Sequence, residues 1–272
     1  METIYFLVQQ TMLFSIPLLL VALGGMFSER SGVVNIALEG IMIIGAFTGI
    51  FFISRFGNLF SPTITLFIAI IISALSGLIF SLLHAYASIN MSADQVISGT
   101  ALNIFAPAFA IYVTRAIQVV QQISFVNNFR IESVPILGNI PIIGNLLFKN
   151  AYITTYLGFI ILALSWFALY KTRFGLRLRS CGEHPQAADS VGINVYKMRY
   201  FGVAISGALA GIGGLVFVIP TSTNFNATVA GYGFLALAVL IFGQWKPIRI
   251  LYAAFFFGLM KTLASAYSGI PI

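Results

Sequence analysis

The sequence predicts an all-α fold, a helical bundle crossing a bilayer about eight times, on three observations. Charge is scarce: of 272 residues, 59 % are hydrophobic and 8 % charged, with 14 Lys+Arg against 7 Asp+Glu. A soluble domain carries about 25 % charged residues and needs them to cover a water-facing surface. Second, Phe56–Ala93 and Tyr200–Trp245 contain no Asp, Glu, Lys or Arg over 38 and 46 residues. About 20 apolar residues suffice for one crossing. Third, the apolar runs are continuous rather than alternating, which argues against outer-membrane strands.

The expected crossings are 4–27, 33–54, 62–87, 96–114, 151–170, 200–220, 230–244 and 249–268. The first stretch is expected to remain as a helix, because Met1–Tyr5 lacks the basic region of a secretory signal. Orientation follows the Lys/Arg count of the loops. The segment 171–199 holds Lys171, Arg173, Arg177, Arg179, Lys197 and Arg199. Placing it in the cytoplasm adds Arg30, Lys246 and Arg249, nine in all, against five outside: Arg55, Arg115, Arg130, Lys149 and Lys261. The N-terminus is then outside.

Several spans are interrupted. Gly231-Tyr232-Gly233 breaks the longest apolar run, Thr221–Asn226 is polar, and the second span opens with Asn35 and Glu39. Backbone can leave a helix at membrane depth only where protein or a water-filled cavity satisfies its polar groups. Such broken segments surround the pathway of many transporters, although Thr221–Asn226 equally fits a loop at the interface. Gly45/Gly49 and Gly207/Gly211 form small-xxx-small pairs suited to close helix packing. Ile97–Leu102 resembles Ile205–Ala210, and both are expected to open a span, as in an internal duplication.

Other classes fit poorly. The net charge of +7 sits in short loops, not on a face, which argues against nucleic acid. Cys181 is alone, so no internal disulfide and no multi-cysteine metal site is expected. Asp94 and Asp189 are the two aspartates, and His84 lies a hundred residues from His184. No cluster suits metal or prenyl-transfer chemistry, so catalytic and metal residues are expected to be none. A secondary transporter would need ionisable groups within spans, and Glu39 is almost the sole candidate.

The segment 171–199 presents a surface. Pro185 suits the first turn of a helix, Gln186–Asp189 continues it, and Gly192 can take the left-handed position that ends it, with Ile193 the hydrophobic residue following. Ala187 and Ala188 are expected on the exposed side, where a partner could approach closely. A helix lying on the headgroups fits the same residues.

Leu178–Asn194, containing Glu183-His184-Pro185-Gln186-Ala187-Ala188-Asp189-Ser190-Val191-Gly192-Ile193, resembles the coupling loop of permease subunits in ATP-binding-cassette importers. The similarity is to the branch handling simple sugars, ribose and nucleosides. Asn35–Met42 followed by Gly45-Ala46-Phe47, Asp94–Asn103, and Gly231–Phe234 followed by Ala236-Leu237-Ala238 resemble that branch too. The wording is most similar to the shorter of the two dissimilar nucleoside permeases. The resemblance implies a chain in a bacterial plasma membrane that binds no cofactor itself. A cytoplasmic ATPase would hold ATP and Mg, a second, dissimilar permease would complete the pathway, and an extracellular lipoprotein would deliver the substrate.

Glu183, His184, Pro185, Ala187, Ala188, Asp189, Gly192 and Ile193 would then meet the ATPase, while Arg177 and Arg179 hold the loop at anionic headgroups. Asn35, Glu39, Asn103, Asn224 and Asn226 are the expected pathway residues, since such groups can hydrogen-bond ribose hydroxyls and base edges. Phe47 or Phe105 could stack on a base. Asn35 and Asn103 could equally bridge helices, and Glu39 could cap one. Guanosine-type nucleosides are the favoured substrate, with ribose or another simple sugar the alternative. The family usually has a further helix beyond the position of Ile272.

Overall fold

The structure, a computed structural model, describes residues 2–126, 129–133 and 149–267. The segment Ser268–Ile272 lies outside the described residues, so the expectation about its end is not addressed by the fold. Among the described residues, seven helices are long and apolar enough to cross a membrane. They are α1 (Glu2–Arg30), α2 (Leu38–Phe56), α3 (Pro62–Ala85), α4 (Gln95–Gln118), α5 (Ile153–Lys171), α8 (Val195–Thr221) and α10 (Pro247–Tyr267). Two short helices, α6 (Arg173–Glu183) and α7 (Pro185–Ser190), join α5 to α8, and α9 (Tyr232–Phe242) joins α8 to α10.

The expected crossing at 230–244 is corrected by α9. Its 11 residues span about 16 Å at 1.5 Å per residue, roughly half of a 30 Å hydrocarbon core. The second crossing begins at Leu38 rather than at 33, because residues 31–37 are not helical. Ile205 lies ten residues inside α8, so the two similar hexapeptides do not both open a helix.

The bundle is built around α8 and α2, of whose central stretches 78 % and 72 % are buried, against 22 % for α4 and α10. Helices α1, α2 and α3 all pack on α8. Glycine permits the approach. A Cβ on Gly45 would fall under 3.0 Å from the Gly211 backbone, and one on Gly207 under 3.0 Å from Ser81 and from Gly77 O. The two small-residue pairs read from the sequence therefore lie in packed seams, Gly45 facing Gly211 between α2 and α8. Apolar burial gives no net drive between helices in lipid, so close packing and hydrogen bonds hold such seams. Ser73 Oγ donates to Gly45 O at 2.8 Å, Ser81 Oγ to Val203 O at 3.2 Å, and Thr48 and Ser76 hydroxyls meet at 2.6 Å.

The two ends of the bundle differ. One carries α6 and α7. The other carries the antiparallel pair β1 (Ile123–Ser124) and β4 (Asn224–Phe225), with Ile123 opposite Phe225. Nearby in sequence, β2 (Arg130–Ser133) pairs with β3 (Lys149–Tyr152). Ser54 Oγ, near the end of α2, donates to Ser124 O at 3.0 Å and ties that pair to the bundle.

Gly211→Val places three heavy atoms where the backbone of α3 already stands, and overpacking of this kind typically costs about 1–3 kcal/mol or more. We expect little monodisperse protein after detergent extraction, measured by size-exclusion chromatography. Gly192→Ala meets nothing within 4 Å but puts a Cβ on backbone at φ +81°, a left-handed conformation that costs an L-residue about 1–2 kcal/mol, so the same chromatography should show a modest loss of folded yield, far smaller than that of Gly211→Val.

Candidate functional site

Two helix N-termini meet inside the bundle. The non-helical segment 31–37 turns from the end of α1 back into the protein. Asn35, fully buried, donates from Nδ2 to Ser206 Oγ at 2.9 Å and accepts from Ala37 N–H at 3.1 Å. Ser206 lies eleven residues into α8, about 16 Å along its axis. This junction is therefore near the middle of the bundle, not at its rim.

Glu39, in the first turn of α2 and 8 % exposed, crosses to the start of α9. Its Oε1 accepts from Gly231 N–H at 2.9 Å and its Oε2 from Gly233 N–H at 2.6 Å. The opening N–H groups of a helix have no partner of their own and carry the positive end of its dipole. A carboxylate satisfies both needs at α9 while also sitting at the N-terminus of α2. The glycines are required twice. Gly231 has φ +79°, and a Cβ on Gly233 would fall under 3.0 Å from Glu39 Cα and N.

Asn103 of α4 locks the other side of the junction. Its Oδ1 accepts from Gly40 N–H at 2.7 Å and its Nδ2 donates to Ile36 O at 2.9 Å. Tyr232 is 2 % exposed, its ring centroid 4.0 Å from that of Phe217, and its hydroxyl has no hydrogen-bond partner. Ser206 and Tyr232 were not singled out as site residues from the sequence. A serine or tyrosine in an apolar run signals nothing until its neighbour across the bundle is known.

The remaining expected pathway residues do not join this cluster. Phe47 is buried two turns further along α2, with Phe51 at 6.1 Å. Phe105 is half exposed on α4, stacked between Phe80 at 6.2 Å and Phe109 at 5.5 Å. Asn224 and Asn226 are exposed at the strand-bearing end, Asn224 within β4. Asn35, Glu39 and Asn103 are thus brought together, and their polar groups are spent on the protein itself.

At the opposite end, α7 takes the form read from its sequence. Pro185 opens it. Gly192, at φ +81°, donates to Asp189 O at 2.9 Å, and Ile193 N–H donates to Ala188 O at 3.1 Å. That pair of bonds is the Schellman ending of a helix. Glu183, His184, Ala187, Asp189 and Gly192 are exposed, with Pro185 and Ile193 half-buried. One expectation is corrected: Ala188 is 3 % exposed and packs inward, so Ala187 alone supplies the small outer surface. Val191, 74 % exposed at the tip, was not anticipated.

The helix before it, α6, was not resolved from the sequence. Thr172 Oγ1 caps it by accepting from Gly175 N–H at 3.2 Å, and Leu178 and Cys181 are fully buried one turn apart. Burial pushes the Cys181 thiol up from its ordinary value, against the opposing field of Arg199. Arg30, ending α1, reaches Glu183 at 3.5 Å and donates to Trp245 O at 3.3 Å, while Trp245 Nε1 donates to Glu29 at 2.5 Å. Glu183 therefore already has a cationic partner within the chain. Arg179 lies 5.0 Å over the Tyr170 ring.

The family described as branched-chain amino acid transport system / permease component matches residues 7–272. The chain is 43 % identical over 271 residues to the nucleoside ABC transporter permease protein NupC of Lactococcus lactis subsp. cremoris, covering 99 % of this chain and 85 % of that protein. It is 45 % identical over 268 residues to the guanosine ABC transporter permease protein NupQ of Bacillus subtilis, covering 98 % and 84 %. It is 31 % identical over 256 residues to the putative glucose ABC transporter permease protein TsgC13 of Haloferax volcanii, covering 90 % and 73 %. No solved structure matches the chain.

Glu39→Ala leaves the Gly231 and Gly233 N–H groups buried without an acceptor, a loss of about 1–3 kcal/mol for each unsatisfied group. The thermal unfolding midpoint in detergent should fall by several degrees. Glu39→Gln, which keeps one acceptor, should fall less. An unchanged midpoint for Glu39→Ala would mean that α9 is held by packing alone.

Proposed function

The chain belongs to the branched-chain amino acid transport system / permease component family, and from that premise we propose that it is the membrane-spanning permease subunit of an ATP-binding-cassette importer for nucleosides, guanosine among them. The observation that carries the substrate is the 45 % identity, over 98 % of the chain, to a guanosine permease. The 31 % identity to a putative glucose permease favours a simple sugar as the second reading.

In this reading the α6–α7 end faces the cytoplasm and the N-terminus lies outside, with nine Lys/Arg inside against five outside. An ATPase carrying ATP and Mg receives α7 in a groove, contacting His184, Ala187, Asp189 and Val191. The short helix is suited to the task because Pro185 and the Gly192 ending fix both of its ends. A partner can shift the bundle only through contacts that differ between two states of one element. One chain of contacts leads inward from the α6–α7 junction. Glu183 meets Arg30 at the end of α1, and Arg30 meets Trp245 just beyond α9. The far end of α9 is the junction at Glu39. Closing of the ATPase would thus reach mid-membrane through one short, rigid helix.

A second, dissimilar permease would complete the pathway, and a substrate-binding lipoprotein would dock on the strand-bearing end near Asn224 and Asn226. From there substrate would pass toward Asn35, Glu39 and Asn103, with Phe47 and Phe105 as stacking surfaces. In the state described here those three polar side chains bond to protein. They would have to exchange these partners for substrate hydroxyls in another.

Cells lacking the chain should lose uptake of labelled guanosine while uptake of labelled ribose is unchanged, with partner expression matched. Loss of ribose uptake alone would overturn the substrate and keep the importer. Ala187→Trp fills the exposed small surface of α7 without touching the core. Guanosine uptake and copurification of the ATPase should both fall at least tenfold at equal permease abundance. Unimpaired copurification would rule out α7 as the docking element.

A further inference from the structure

At the α6–α7 end, the residues following α3, Tyr86–Asn90, wind as a single π-helical turn, and Ser92 beyond it has φ +51°. Turns of this kind recur at functional sites. This one faces the start of α8 across a cavity of about 330 Å3, lined by Ser88, Ser92, Gln95, Tyr196 and Arg199 among others. Two polar atoms of residues that line it, Ser88 Oγ and Arg199 Nε, are buried and have no hydrogen-bond partner. Gln95 spends its carbonyl oxygen on Val34 N–H at 2.8 Å, which leaves its amide hydrogens as donors.

Arg199 is the one charged side chain among the residues that line the cavity. Arg199 forms no ion pair among the described residues, and the Arg30–Glu183 pair at this end does not involve it. Helices α4 and α8 both begin at the cavity, with Gln95 and Val195 in its wall. At α4 the Asp94 carboxylate is already engaged by Val96 and Ile97 N–H. At α8 the cap is the neutral Asn194, accepting from Lys197 N–H, so the positive end of a 27-residue helix is not offset by an acid. Arg199, two serine hydroxyls, an amide and a helix N-terminus line one space, and no carboxylate is among the residues that line it.

We propose that this cavity binds a phosphate group, held by Arg199 with Ser88, Ser92 and Gln95 as further donors. Donors arriving from three segments suit a tetrahedral oxyanion better than a planar carboxylate. Charge-assisted bonds of guanidinium to phosphate are among the strongest available. A phospholipid headgroup and free phosphate share this chemistry. The surroundings favour the lipid: Met91, Val96 and Ile97 are 66 %, 54 % and 71 % exposed beside the cavity, at the end of the spans where acyl chains would lie.

The test uses the full chain, purified in detergent with phosphatidylcholine. One arm adds sodium phosphate and reads the unfolding midpoint; the other adds phosphatidylglycerol and reads retained adducts by native mass spectrometry. Arg199→Gln removes the cation. Ser88→Leu fills the cavity while leaving Arg199 in place, and Arg55→Gln removes an exposed charge at the opposite end of the bundle. The expected result is a saturable response in wild type and Arg55→Gln, reduced at least fivefold in Arg199→Gln and Ser88→Leu. A response to phosphatidylglycerol alone identifies a lipid headgroup, and one to sodium phosphate alone identifies the free ion. No response in either arm, or an equal response in all four proteins, overturns the proposal.

Discussion

The structure depends on a carboxylate held inside the bundle by backbone N–H donors. Helix α9 is too short to cross a membrane, so its first turn must begin where no water can satisfy it. Glu39 supplies the missing acceptor from α2, and Asn103 of α4 supplies one for α2 itself. Burying a charge is expensive unless it is well paired. Here the pairing comes from two dipole ends and directed N–H bonds rather than from a cation. A side chain at 233 would close the space the carboxylate needs and one at 231 would strain the backbone at φ +79°, so residue type at 231 and 233 and charge at 39 form one constraint.

Much of the architecture was legible in the sequence. Seven of the eight spans were, because a long charge-free run has one physical solution in lipid. So was the ending of α7, since Gly192 followed by Ile193 is a local signal needing no knowledge of the fold. The facing glycines of α2 and α8 were legible as pairs but not as partners. What could not be read was long-range. Glu39 and Gly231 are 192 positions apart, and no pattern along the chain distinguishes a cap for a distant helix from a pathway acid. The length of α9 was misjudged because hydropathy reports how apolar a run is, not where its helix begins.

The basic segment concealed α6 for a related reason. Arg173, Arg177 and Arg179 dominate its composition, while its inward face is only Leu178 and Cys181 with Gly175 between the helices. The burial of Ala188 was hidden because alanine fits either side of a helix, and only the neighbours it packs against decide which. Substrate residues are less legible still. Asn35 and Asn103 have side chains suited to a sugar hydroxyl, and equally suited to a backbone carbonyl left free by a broken helix.

The link from α7 to the bundle shows which interactions can bear a load. The Arg30–Glu183 pair is mostly exposed at its acid, and surface pairs contribute about 0–1 kcal/mol. It cannot by itself hold α6 against α1. The firmer attachment is apolar and steric: Leu178 and Cys181 are fully buried, and a Cβ on Gly182 would run into Arg30 O. A fully buried leucine contributes about 1.5–3 kcal/mol where the alternative is water. The ion pair then sets direction while packing sets strength. The α6–α1 junction is therefore made of packed backbone and buried side chains, with the flexible surface pair adding little to it.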